Sequence, residues 1–295
     1  MTSASKPMAA ISLAVTNPIR PSALQSLWRK PAVRHCLVVL AFFGLVALGG
    51  YGHVLPDFEA SVGGSQEGPS WHWPTLLGTD LLGRSVLYRI LSGAQTAVTI
   101  GLATMALAIP FGTILGLLAG WFGGWIDAAV TWLYSVVVSI PDILLITAIS
   151  YALGRGIVSM CVALAATSWV GVMRLVRSEV LRHKSRDYVV AARAYGASDS
   201  RIMLRQILPN VMHVAIVVSS LVLVGAVKGE VILTYLGLGV QDGASWGLLI
   251  AGASQDLANG IWFPLMGTVT AMFLLIYSLS VVADALRDAL DPKLR

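Results

Sequence analysis

Residues 94–119 read AQTAVTIGLATMALAIPFGTILGLLA, with no charged side chain in the run. An apolar run of roughly 20 residues is long enough to cross the ~30 Å hydrocarbon core of a bilayer as a helix. The run lacks the strict apolar/polar alternation of a half-buried strand, so it predicts a membrane span. The rest of the chain agrees. Of its 295 residues 56% are apolar and only 12% charged, and the mean hydropathy is +0.77. An ordinary soluble domain carries about 25% charged residues. The composition argues against a cytosolic globular enzyme and predicts an integral membrane protein.

Five further apolar runs flank this one. The first, from about Cys36 to Leu55, follows a polar tail of 34 residues that has basic but no acidic side chains. It starts too late and runs too long for a cleavable leader, so it reads as an anchor that stays in the protein. Beyond residue 119 and the Gly-rich turn Gly120–Gly124, a third span covers about Ala128–Leu153. The short break Gly154–Gly156 precedes a fourth, Ile157 to about Val176. After the polar stretch Arg177–Asn210 comes a fifth, Val211 to about Gly239. An Asp-containing loop leads to the sixth, Ile261 to about Ala283. The expected fold class is therefore all-α and integral to the membrane, with six transmembrane helices. Its expected parts are a tail 1–34, an anchor with an extracytoplasmic segment 35–93, a five-helix core 94–285 that contains the loop 177–210, and a tail 286–295.

Six spans put both ends on one side, and the positive-inside rule says which. The N-terminal tail holds five Lys/Arg, the segment Arg174–Arg205 eight and the C-terminal tail three, sixteen of the chain's twenty. Both termini and the 177–210 segment are expected in the cytoplasm, and the 56–93 and 240–260 loops outside. This topology accounts for the net charge of +5 without a nucleic-acid partner. Cys36 and Cys161, in or beside apolar runs, are too few for a disulfide framework or a Cys-based metal site and read as inert core residues. No His-Glu-x-x-His, Gly-x-Ser-x-Gly or Walker A pattern occurs, which disfavours an intramembrane enzyme and ATP binding on this chain.

The polar segment Asp187–Asn210 reads DYVVAARAYGASDSRIMLRQILPN. Asp187 is placed as a helix N-cap, and Ala191, Ala192 and Ala194 favour helix. Gly196 ends that helix through a left-handed C-cap. A second helical stretch, about Ser198–Leu208, sets Ile202, Ile207 and Leu208 apart from Arg201 and Arg205. Pro209 suits the first turn of the next helix. By its residues the segment is either a solvated connector or a docking knob, whose small side chains let another protein approach the backbone.

The pattern Ala191-Ala192-x-x-x-Gly196, followed by Leu208-Pro209, resembles the "EAA" loop of the membrane subunits of ABC importers. Val190 stands where that motif usually has Glu, and Gln206 where it usually has Ile. The flanks Asp187-Tyr188-Val189 and Ile207-Leu208-Pro209-Asn210 are similar to the peptide-importer branch, which often lacks the Glu. Leu77-Gly78-Thr79-Asp80-Leu81-Leu82-Gly83-Arg84 resembles the outward signature of the C-type permease subunit of dipeptide, oligopeptide and nickel importers, with Ser85 where Asp is usual. Leu236-Gly237-Leu238-Gly239 with Trp246-Gly247, and Arg287-Asp288-Ala289-Leu290-Asp291-Pro292, resemble the end of that branch's fifth span and its C-terminus. The likeness covers roughly residues 27–295.

The resemblance implies a type I ABC importer permease fold in the bacterial inner membrane. Its implied partners are a second permease subunit, two ATP-binding cassette ATPases, an extracytoplasmic binding protein and the lipid membrane. ATP and Mg would bind the ATPases, and no cofactor this chain. The coupling residues would be Ala191, Ala192, Tyr195, Gly196, Ala197, Ile202, Leu208 and Pro209, pushed by ATP-driven closure. The implied cargo is a di- or oligopeptide, with nickel or another small solute as the alternative. An ion-coupled secondary transporter is the rival from another class, and would normally show an inverted repeat.

Charged residues near the spans complete the reading. Asp80 and Arg84, four apart, would pair on a helix, with Thr79 or Asp80 capping the helix that leads to the second span; the sharper reading has Gly78, Thr79, Asp80, Gly83 and Arg84 seat the binding protein or shape the outer vestibule. Lys228 and Glu230 lie within a span, where charges are costly and usually functional. Two residues apart, they face nearly opposite ways. Glu230 lies about 19 rises of 1.5 Å, roughly 28 Å, beyond Val211. That places it near the outer interface, either snorkelling to water or lining the path or gate. Gly112, Gly116 and Gly120 mark a close-packing face, within the subunit or against a second permease. Pro110 and Pro141 are expected to kink their spans, Asp142 to mark a helix end, and Asp284, Arg287 and Asp288 to pair locally.

Overall fold

The computed structural model describes residues 30–241 and 243–290. The basic tail up to Arg29 and the end of the C-terminal motif, Asp291-Pro292, lie outside the described residues. Among the described residues five helices are long and apolar enough to cross a membrane: α1 (Pro31–Tyr51), α2 (Val86–Phe122), α5 (Ile157–Lys184), the run Asp199–Tyr235 and α10 (Phe263–Leu290). The third expected span is broken. Its two halves, α3 (Gly124–Ser139) and α4 (Asp142–Ala152), meet at an angle of 94°. Pro141 therefore does more than kink: α3 stops before it, and Asp142 opens α4 as an exposed first-turn residue. Pro110, by contrast, sits inside the unbroken α2.

The centre of the fold is the pair α2–α5. A methyl group placed on Gly112 would lie 2.7 Å from Val172 Cβ, on Gly116 2.9 Å from Val176 Cβ, and on Gly120 2.8 Å from Val180 Cβ. The offset between partners is constant, so α2 and α5 run parallel, and the bent pair α3–α4 must return the chain between them. The glycine face thus packs inside the subunit. Small residues at that spacing allow backbones to approach where lipid supplies no hydrophobic drive to associate. Arg177 at the lower end of α5 holds Asp127 of α3 through two bonds of 2.6 Å.

Shorter elements join these spans. α6 (Asp187–Ala194) follows α5, and α7 (Asp199–Ile202) continues through a π turn, Met203–Ile207, into α8 (Leu208–Tyr235). The 240–260 loop is not a plain loop. It holds α9 (Trp246–Ala258), whose first turn is buried. Trp246 donates its indole N–H to Ile90 O of α2 at 2.9 Å and meets Phe43 of α1 edge-on at 5.9 Å. Ser254 and Asp256 gave this amphipathic helix the look of a connector in the sequence. At the other end of the bundle Asp288 pairs with Lys30 at 3.0 Å, joining α10 to the start of α1 in place of the expected local pairing. Both cysteines are free and buried.

Candidate functional site: the projecting segment, the polar cap and Glu230

The segment 187–209 is built on its last helical turn. Gly196 has φ +77°; its N–H donates to Arg193 O at 2.9 Å, and the N–H of Ala197 to Ala192 O at 3.0 Å. This pair of bonds is the Schellman closure, and the residue at its corner is left-handed, which favours glycine. Asp187 is not the N-cap. Arg186 holds that place without a side-chain bond, and Asp187 is the first helical residue, its carboxylate near the positive end of the helix.

The expected coupling residues divide in two. Ile202 is fully buried, as are its neighbours Val189 and Ile207 outside that set, and Ala192, Ala197 and Leu208 pack on the same core with Trp121 of α2 and Val176 and Val180 of α5. Ala191, Tyr195, Gly196 and Pro209 face outward, Tyr195 with 92% of its surface exposed and Val190 with 60%. One side of the segment is thus part of the core, and the other presents an apolar knob with a tyrosine at its tip. Pro209 lacks the N–H that a helix needs and crowds the preceding turn. The π turn just before it absorbs that mismatch, and Asn210 Nδ2 donates to Gln206 O at 2.6 Å. The second stretch therefore runs without a break from Asp199 into the span.

At the opposite end lies the signature Gly78–Arg84. It is not a helix. Two antiparallel bridges, Ser61 with Arg84 and Thr79 with Ser85, close it into a turn. Asp80 is buried, accepts from the backbone N–H of Leu82 and Arg84 at 2.9 Å each, and pairs with Arg84 Nε at 2.8 Å and Arg89 Nη1 at 2.6 Å. The cap of α2 is Ser85, which accepts from Tyr88 N, so neither Thr79 nor Asp80 caps that helix. Thr79 is fully buried and ties Gly64 O and Glu67 N together. Gln66 Nε2 reaches Asp256 of α9 at 2.8 Å, so this polar cap rests on α9. Leu81 and Leu82 stay exposed at its tip, and Trp71 and Trp73 beside it suit a membrane interface.

Burial opposes ionisation of Asp80 most strongly, but the Arg84 backbone and guanidinium and the Arg89 charge together hold its carboxyl below the usual range. A depressed carboxyl stabilises the fold above its unfolded pKa, and the contribution is lost as pH falls through the folded value. Asp80→Asn is therefore expected to loosen residues 62–85 at neutral pH, leaving two largely buried guanidinium groups unpaired. The wild type should loosen in the same way only in acid. Amide hydrogen exchange of that stretch reads both; equal protection in the two proteins at pH 7 would refute the assignment.

Lys228 and Glu230 do face opposite ways. Lys228 is exposed on α8, whereas Glu230 is fully buried. Snorkelling to the interface is therefore wrong for Glu230. Counting rises placed it near the membrane surface, but the count could not show that α9 covers that end of α8. Glu230 Oε1 accepts from Ser245 Oγ at 2.6 Å and from Thr234 Oγ1 at 3.1 Å. Oε2 has no partner among the described residues. Ser245 in turn caps α9, so Glu230 fastens α9 to α8.

Comparison with known proteins decides what these parts belong to. Residues 112–295, which include the whole projecting segment, match the binding-protein-dependent transport system inner membrane component family. The chain belongs to that family. Three relatives agree with it. The dipeptide transport system permease protein of Bacillus subtilis is 36% identical over 225 residues, 76% of this chain and 69% of that protein. The di/tripeptide transport system permease protein of Pseudomonas aeruginosa is 36% identical over 75% of this chain and 73% of its own length. The glutathione transport system permease protein of Pectobacterium atrosepticum is 33% identical over 91% and 90%. This permease is thus a multi-pass inner-membrane protein of the branch that its motifs resembled, and a transport component rather than an enzyme.

Proposed function

We propose that this permease carries di- or oligopeptides across the inner membrane as the C-type subunit of a binding-protein-dependent importer. In the complex it pairs with a second permease, and two separate ATPase subunits bind ATP and Mg while this chain binds no cofactor. Its relatives' peptide and glutathione names support the cargo. The observation that carries the mechanism is the two-sided segment 187–209. Its exposed knob of Val190, Ala191, Tyr195 and Gly196 fits a cleft in an ATPase, and its buried side is continuous with the core of α2, α5 and α8. ATPase closure pushes the knob, and the spans move with it. In this arrangement the knob and both chain ends lie in the cytoplasm, and the cap at Gly78–Arg84 faces the binding protein.

Lys228 belongs to the same reading. Lys228 lies toward the outer end of α8, where an exposed charged side chain reaches water rather than lipid, and the Lys228 side of α8 is assigned to the outer part of the translocation path. Glu230, behind it, shapes that path by holding α9.

The test is reconstitution of the complex with its binding protein in proteoliposomes. Di- and tripeptide uptake is expected only with ATP. Uptake that follows an ion gradient without ATP, or a complex that carries only non-peptide solutes, would refute it. Lys228→Gln should lower uptake while the ATPases still co-purify; unchanged uptake would remove Lys228 from the path.

A further inference from the structure

The polypeptide joins segment 187–209 directly to α5, through Ser185 and Arg186, and to α8, through the π turn. It has no such link to α2, the helix on which α1, α5 and α8 all pack. Yet the end of α2 meets the polar side of the segment at Trp121. Trp121, in the last turn of α2, is 2% exposed. The Arg193 guanidinium of α6 lies over its ring, 4.9 Å from the centroid. Lys184, the last residue of α5, donates from Nζ to the Trp121 carbonyl at 2.5 Å and sits 5.9 Å from the same ring. That carbonyl is among the last four of α2, which have no partner within the helix and carry the negative end of its dipole. Arg193 also reaches Asp199 of α7 at 3.8 Å. The ends of α2 and α5 and the first arm of the segment therefore meet at Trp121, and Arg193 ties in the second arm through Asp199.

We propose that Trp121, gripped by Arg193 and Lys184, is the joint through which the segment drives α2. Arg193 is a positioning residue: half exposed at the base of the knob, it links the segment to a ring that is itself buried. A cation over an indole face is held by the ring quadrupole, and it tolerates sliding better than a bidentate ion pair does. Such a contact keeps its hold while the helices change angle. The inference rests on the reading that ATPases engage the 187–209 knob.

The experiment uses the complete importer in proteoliposomes and measures peptide uptake and ATP hydrolysis in the same vesicles. Arg193→Gln, at a half-exposed site, is the main variant; Trp121→Leu is the second, and Arg193→Lys the conservative one. Arg193→Gln is expected to keep its ATPases and its hydrolysis rate but to lose roughly tenfold in peptide moved per ATP, with most of that regained in Arg193→Lys. A merely structural role would lower uptake and hydrolysis together and leave their ratio unchanged, which would overturn the proposal. Loss of the ATPases from Arg193→Gln would make Arg193 a docking residue and also overturn it. If the wild type itself holds no ATPases, the importer mechanism fails with it. A coupled wild type with an equally coupled Arg193→Gln defeats this inference alone.

Discussion

Gly196→Glu is expected to abolish ATP-driven uptake and to release the ATPases from the purified complex, while the permease remains folded in detergent. The residue turns the chain at φ +77°. A side chain there faces a backbone cost of about 1–2 kcal/mol, equivalent to a roughly 5–30-fold change in an equilibrium. Among the described residues nothing beyond the adjoining chain lies within 4 Å of a methyl group at that position, so the described part of the subunit accommodates the atoms. The damage falls on whatever approaches the knob, which meets a displaced Tyr195 and a new carboxylate. Gly196→Asn separates the two effects, because asparagine tolerates the left-handed conformation and adds no charge. It should retain much of the association. Co-purification with the ATPases and uptake in vesicles measure both variants. Full association in Gly196→Glu would mean that the knob faces no partner.

The second large effect is on stability. Gly116→Ala is expected to lower the yield and melting temperature of the detergent-solubilised protein sharply, whereas Gly44→Ala is not. Intrinsic helix propensity favours alanine over glycine at both sites by about 0.8–1 kcal/mol. Packing reverses the sign at one of them. A methyl group on Gly116 would lie 2.7 Å from the Met173 carbonyl oxygen and 2.9 Å from Val176 Cβ, and at Gly44 it meets none of the described residues within 4 Å. A backbone carbonyl cannot rotate away as a side chain does, so α2 and α5 must separate. Overpacking of this kind costs typically about 1–3 kcal/mol, and the parting also loosens the contacts of Gly112 and Gly120. Equal melting temperatures for Gly116→Ala and wild type would show that the helix pair yields freely.

The two sites also mark what the sequence made legible. Long apolar runs announce spans because nothing else tolerates them, and the period of Gly112, Gly116 and Gly120 announces a packed face. Gly196 was readable because a helix followed by glycine and a fresh polar start has few other conformations. What stayed hidden depends on neighbours far along the chain. Asp80 and Arg84 have a helix-like spacing, yet the chain turns back at Gly78 and Gly83, and their partner Arg89 lies on the next helix. Glu230 reads as interfacial until α9, itself camouflaged by polar residues, is laid over it. The break at Pro141 was visible as a proline, but its angle depends on how α3 and α4 settle against α5. Trp121 gave no signal at all, since an aromatic residue at a span end is expected on grounds of the interface alone.

The unbroken run Asp199–Tyr235 spans 37 residues, about 55 Å at the helical rise, well beyond the ~30 Å of a bilayer's hydrocarbon. It makes a lever hinged in the projecting segment. A tilt of about 5° about Asp199 would swing Glu230 sideways by roughly 4 Å. Because Glu230 grips Ser245 at the start of α9, that swing reaches a helix whose other side bears on the polar cap through Asp256 and Gln66. A rotation of a few degrees at the projecting segment would thereby become a shift of several ångströms at α9 and at the cap resting on it.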